Sequence, residues 1–165
     1  MKFYIFILLV CLINSCAEDR IQDMLLSSNY IGTSDSFDII TWNIEWFPKN
    51  IKSIDYIAEA IIELDVDILG LCEVENSTVL QDLNNSYTKR NYSIIHYESP
   101  DNRGIDNALL YDKNRFSIIS SRAIVNKLEG TGNTRDILHV SGKYQNSLLH
   151  IFVNHWPSNY GGKEK

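Results

Sequence analysis

The chain has 165 residues, 44% of them hydrophobic, and a formal net charge of -6. That length bounds it to one globular domain. The acidic balance gives no general attraction to a polyanion, so tight sequence-independent nucleic-acid binding is disfavoured, whereas a cation-dependent site is compatible with it.

The first segment reads as a leader. Lys2 precedes the apolar run "FYIFILLVCLI", which is followed by "NSC" and the charged "AEDR". This is a charged n-region, a short h-region and a processing site, too short to span a bilayer. "LINS" before Cys16 resembles the bacterial lipobox, which implies that the Cys16 thiol is acylated and becomes the first mature residue. An ordinary cleaved signal is the alternative. On the lipobox reading residues 1–15 are a lipoprotein signal, and the acyl chains hold the exported protein on a membrane of the bacterial cell envelope. Cys72, inside "ILGLCEV", is then the one cysteine left within the domain; it forms no internal disulfide and reads as a small buried hydrophobe.

Residues 16–36 are rich in Ser, Asp and Asn and read as a polar tether. The domain, 37–165, opens with "FDIITWNIEWF", a β-branched and aromatic strand. "SIDYIAEAIIEL" carries Ile54, Ile57, Ala58, Ile61 and Ile62 at helical spacing, with Ser53 placed to cap it. "VDILGLCEVEN" is a second buried strand and "STVLQDLNN" a short helix. The strands "YSIIHYE", "DNALLYD", "RFSIISSRAIV", "DILHVSGKY" and "SLLHIFVNH" follow, punctuated by "DKN", "GTGN" and "SGKYQN". This order predicts an α+β fold, a layered β-sandwich with outer helices. Strands apolar on both faces require a second sheet, which is under-supplied, so the chain is expected to represent roughly the first half of such a fold.

Asn43 and Glu73 each sit near the C-terminal end of an apolar strand. Together they bring an amide and a carboxylate to one rim, where a hard cation such as magnesium would find an oxygen ligand. A solvated strand-end charge is the plainer reading of Glu73. His155 ends the last strand and Asp106 begins another. Alternation places His155 on the face of Val153 and Ile151, and Asp106 on that of Ala108 and Leu110. A histidine held by a carboxylate is an oriented acid or base. His150 points to the other face and reads as a core residue, and His96 and His139 have no evident partner. Arg135 enters its strand from a glycine-bearing loop, placed to fork onto a phosphate or to pair with Asp136 or Asp106.

The stretches "TWNIEW", "DILGLCEVEN", "RGIDNALLYD", "NTRDILHV" and "VNHWPSNYGG" resemble, in order, the motifs of the endonuclease/exonuclease/phosphatase superfamily. These metal-dependent phosphoesterases include pancreatic deoxyribonuclease and bacterial sphingomyelinases. The resemblance implies a deoxyribonuclease-like fold and hydrolysis of a phosphodiester, nucleic acid among the substrates, with Mg2+ or Mn2+. It makes Asn43 and Glu73 the metal-side residues, Asp106 and His155 a catalytic dyad, and Arg135 a phosphate ligand. The "GDFN"-like and "SDH"-like segments that follow in the family are not in this chain, which is therefore expected to be a fragment. A non-catalytic binding or structural lipoprotein, and a lipid or sugar-phosphate phosphodiesterase, are the alternative functions. The sequence gives no sign of a protein partner.

Overall fold

A computed structural model describes residues 32, 35–86, 92–126 and 134–156. Contacts divide the chain into Met1–Ile31 and Gly32–Lys165. The leader, Cys16 and most of the tether lie outside the described residues.

Gly32–Lys165 has the layered α+β architecture that the sequence predicts. Strand β1 (Ile39–Phe47) is followed by helix α1 (Lys52–Leu64), β2 (Ile68–Val74), α2 (Ser77–Asn85) and β3 (Tyr92–His96). Strands β4 (Asp106–Asp112), β5 (Ser117–Ile124), β6 (Ile137–Tyr144) and β7 (Ser147–Val153) complete the order. One sheet has the order β1-β2-β4-β3, with β1 parallel to β2 and the other pairs antiparallel; the second is the meander β5-β6-β7.

Two apolar cores follow from strand alternation. Leu69 and Leu71 of β2, with Ala108 and Leu110 of β4, face the helices and meet Ile54, Ala58 and Ile61 of α1 and Leu80 and Leu83 of α2. The intervening residues Ile68, Cys72 and Leu109 face the second sheet and pack on Leu138, Val140, Val153 and Phe116. Burying each such aliphatic side chain contributes about 1.5–3 kcal/mol. The β2 strand is thus covered on both sides, which is why its sequence is almost continuously apolar. Gly142 leaves room for the Phe116 ring, since a Cβ there would lie 2.4 Å from the ring's Cζ.

Both helices form where the spacing predicts, but Ser53 does not cap α1. Its hydroxyl accepts the Asn50 N–H at 3.2 Å, and Asn50 Oδ1 instead accepts the Lys52 N–H at 3.0 Å. Helix α2 has a side-chain cap, Asn76 accepting from Val79 N–H at 3.0 Å. Among the described residues no helix is long and apolar enough to cross a membrane.

Candidate active site

The C-terminal ends of β1 and β2 are distorted together. Glu73 is an extra residue in β2, bulged between Cys72 and Val74 where they pair with β4, and it has a φ of 67°. Opposite it, β1 slips out of register between Asn43 and Phe47, with Glu45 and Trp46 at φ of 47° and 55°. Three adjacent non-glycine residues in the left-handed region are a costly backbone, of order 1–3 kcal/mol each, and such strain concentrates where side chains must be aimed. Here it aims Glu73 along the rim rather than into either core.

Glu73 is tightly oriented. Asn43 Nδ2 donates to its Oε1 at 3.2 Å, and the main-chain N–H of Trp46 donates to its Oε2 at 3.1 Å. His155 Nε2 lies 3.4 Å from the same Oε1 and 3.5 Å from Asn43 Nδ2. The Glu45 N–H meets Asn43 Oδ1 at 2.9 Å. Only an oxygen can accept that bond, so the amide orientation of Asn43 is determined. Asn43 therefore holds Glu73 through its amide nitrogen, while its oxygen accepts the Glu45 N–H.

His155 Nε2 faces one acceptor, Glu73 Oε1, and one donor, Asn43 Nδ2. Either protonation state of that nitrogen thus finds a partner, which suits a group that gives and takes a proton. Burial lowers the His155 pKa below its ordinary 6.5, Glu73 opposes this, Arg103 adds to it and Asp101 opposes it. The ring is therefore predominantly neutral at neutral pH.

Asp106 does not join His155. Along β4 it falls in the same alternation as Ala108 and Leu110, which face the helices, whereas among the described residues the groups that meet His155 Nε2 are Glu73 and Asn43. Asp106 is instead buried against His96 Nε2 at 3.2 Å, Ser99 N–H at 2.8 Å and Ser99 Oγ at 2.5 Å. Burial alone would raise its pKa, but the hydrogen bonds from His96 and Ser99 outweigh that and hold the carboxyl below 3.8. His96 thus has the partner that its strand position did not reveal. His139 and His150 also pair, Nε2 to Nδ1 at 3.0 Å, and His150 is on an exposed face rather than in the core.

Arg135 pairs with a carboxylate, Asp101 rather than Asp136 or Asp106. Its side chain is 3% exposed, Nη1 donates to Asp101 Oδ2 at 3.0 Å, and Nη2 donates to the His155 carbonyl at 2.9 Å. It positions the backbone of His155. Asp101 also binds Arg103, through Nη2 at 2.8 Å and Nε at 3.0 Å. Arg103 is 45% exposed; the Asp101 hydrogen bond, and to a lesser degree the Glu73 charge, raise its pKa, and its own charge helps to lower that of His155. Sequence reading passed over Asp101 and Arg103. The available signal was the turn composition of "PDNRG", in which Arg103 N–H meets Asp101 Oδ1 at 2.8 Å and Gly104 N–H meets the Asp101 carbonyl at 2.9 Å.

Cys72 is closed to chemistry. It is buried, its thiol donates to the Asn154 carbonyl at 3.6 Å, and burial, helped by the Glu73 charge, pushes its pKa up to about 11.

Two carboxylate settings fit a divalent cation. Glu73 is a half-buried carboxylate whose partners among the described residues are an amide, a main-chain N–H and an imidazole, none a permanent cation. That donor set leaves a hard oxygen site of the kind magnesium takes, with most ligands supplied by water and substrate. His96, Glu98 and Asp106 offer a second set, with ligand atoms within 4.8 Å of one another. There Asp106 already accepts three hydrogen bonds.

The site is thus an amide, a carboxylate and an imidazole converging at the strand ends of a two-sheet α+β domain. The chain belongs to the Endonuclease/Exonuclease/phosphatase family, whose sequence model matches residues 28–165. Enzymes of this family are generally dependent on divalent metal ions. Curated protein sequences contain no match. Among solved structures, an endonuclease/exonuclease/phosphatase family protein from Leptotrichia buccalis aligns with a TM-score of 0.57 and 17% identity, over 75% of this chain and 55% of that one. The human Nocturnin catalytic domain with bound sulfate aligns with a TM-score of 0.55 and 21% identity, over 74% and 50%. D. rerio TDP2 complexed with a single-strand DNA product aligns with a TM-score of 0.53 and 17% identity, over 69% and 43%. These likenesses establish the fold. The chain spans about half the length of the structures it matches, 43–55% in these three.

Proposed function

We propose that the protein is a metal-dependent phosphodiesterase, nuclease-like in substrate, in which Glu73, Asn43 and His155 form the reacting rim. The observation that carries this reading is the convergence of Asn43 Nδ2, Glu73 Oε1 and His155 Nε2 within 3.2–3.5 Å of one another, on a backbone strained to bring them there. Family membership supports it, as does the TDP2 relative's complex with a single-strand DNA product.

Glu73 would hold Mg2+ or Mn2+, which supplies Lewis-acid polarisation of a phosphoryl oxygen. Asn43 and the Trp46 N–H fix the Glu73 carboxylate in place. His155, neutral and anchored by Arg135 through its carbonyl, can accept or return a proton at Nε2. Arg103 offers its exposed side to a phosphate oxygen, the role that Arg135 is too buried to take. Hydrolysis of bis(p-nitrophenyl) phosphate by the whole protein, followed through a magnesium titration, tests the reading. Glu73→Gln should raise the magnesium concentration needed, and His155→Ala should slow turnover on the order of 10²–10⁴-fold. Full activity in His155→Ala would remove that residue from the mechanism.

The lipobox-like "LINSC" supports anchoring through acylated Cys16 on a bacterial envelope membrane. Cys16→Ser should release the protein from membrane fractions and lower its mass by the lipid; unchanged partitioning would refute the anchor.

A further inference from the structure

Trp46, whose N–H holds Glu73, also lines an open hollow of about 790 Å³, a size suited to a small organic ligand. Trp46, Pro48 and Lys49 form one wall, and Arg103 and Gly104 contribute another. We propose that this hollow seats an unpaired base of a single-stranded nucleic acid, with Trp46 as its stacking platform and Arg103 towards the adjoining phosphate. The inference rests on the phosphodiester reading of Glu73 and His155 and adds a base-binding subsite that requires an unpaired strand.

Trp46 is an unusual residue to find where it is. Bulky side chains are rare at positive φ, yet Trp46 sits at 55° and is 49% exposed. The strained backbone serves Glu73, since the Trp46 N–H orients Oε2. A polar or small residue would do that with less strain, so the exposed indole calls for a separate use. It stands at the mouth of the hollow, one residue-to-residue hydrogen bond from the carboxylate that meets His155. A base stacked there would belong to the nucleotide at the reacting phosphate.

The charges around the hollow favour a base over a further run of phosphates. Lys49 is taken up by Glu45 at 2.8 Å, and Arg103 is held by Asp101 at 2.8 Å. Glu75 adds an exposed carboxylate to the lining. With its cations compensated and an acid present, the hollow offers no positive track for a backbone. A flat indole gives affinity to any base whose face is free, which a duplex does not offer. Gly104 also lines the hollow, at φ 64° with open space beside its Cα. A single aromatic wall also suits a planar ring better than a quaternary ammonium head group, which prefers a cage of several rings.

The test is fluorescence anisotropy of the full chain in EDTA at low salt, with three probes: a fluorescein-labelled single-stranded DNA octamer, an abasic oligomer of equal length, and labelled phosphatidylcholine–sphingomyelin vesicles. Trp46→Leu keeps apolar bulk without the ring and should weaken octamer binding roughly 5- to 150-fold. Trp46→Phe should restore most of it, and neither change should alter the abasic oligomer. Arg103→Gln should weaken both oligomers alike. Equal binding of octamer and abasic oligomer, unchanged in Trp46→Leu, would overturn the stacking site while the phosphodiester reading stands. Binding of neither oligomer would overturn the base site, and the phosphodiester reading falls with it only if magnesium-dependent hydrolysis is also absent. Loss of vesicle binding in Trp46→Leu with octamer binding intact would replace the base by a lipid head group.

Discussion

Asp101 is the residue whose change should travel furthest. Its side chain is 4% exposed and bridges Arg135, 3% exposed, to Arg103. Asp101→Asn keeps the shape but leaves the Arg135 guanidinium buried without its counter-charge. Breaking a buried pair from one side costs about 3–5 kcal/mol. The Arg103 bond adds little to this because that side chain is half exposed. For a domain of this size the loss corresponds to a drop in Tm of roughly 10–20 °C. Arg135 also carries the His155 carbonyl, so the site should loosen with the fold. Urea denaturation of the wild type, Asp101→Asn, Arg135→Met and the double variant measures the coupling. The double variant should cost less than the two singles together, by more than about 1 kcal/mol, because it removes the stranded charge. Strict additivity, or an Asp101→Asn loss below about 1 kcal/mol, would refute the clamp.

Gly142→Ala should destabilise by about 1–3 kcal/mol in the same assay, because its Cβ would meet Phe116 and, at 2.7 Å, the Ser117 carbonyl. In metal-free protein the His155 Cε1 proton should titrate below pH 6.5 by NMR, and Arg103→Gln should move the inflection upward by removing a neighbouring positive charge. An inflection above 6.5 in the wild type would contradict the burial argument. Asp106 has a folded pKa below 3.8, so its contribution is present above that value and is lost as the pH falls through the folded pKa. The stability gap between wild type and Asp106→Asn should accordingly be full at neutral pH and narrow in acid; a gap independent of pH would show that the carboxylate's charge is not what matters there.

Periodicity carried most of the fold. The α2 bounds and β4 bounds coincide with the segments "STVLQDLNN" and "DNALLYD", because each is flanked by residues that stop its pattern. Two-sided burial of β2 was legible from "ILGLC", and it correctly demanded a second sheet. Alternation also held the information that separates Asp106 from His155, since it assigned them to faces shared with different apolar residues. What it lacked was which face looks at which layer. The bulge at Glu73 was not legible, because Glu at positive φ has no signature in sequence and is imposed by the neighbouring strands. Without that bulge, strict alternation gives no reason for Glu73 rather than Asp106 to meet the histidine. The partner of Arg135 was not legible for a related cause: pairing with a carboxylate was one open reading, but Asp101 lies 34 residues earlier in the chain and only the fold brings it there.

The two cation settings give different answers to one experiment. In a Mn2+ titration followed by NMR, paramagnetic broadening reports which groups lie near the ion. A phosphodiesterase rim centred on Glu73 requires the Trp46 amide and the His155 ring to broaden first, and requires Glu73→Gln to abolish the effect. If His96 and the Ser99 amide broaden first, or if Glu73→Gln leaves the titration unchanged, the cation belongs to the His96–Glu98–Asp106 cluster and Glu73 is not the centre of the site.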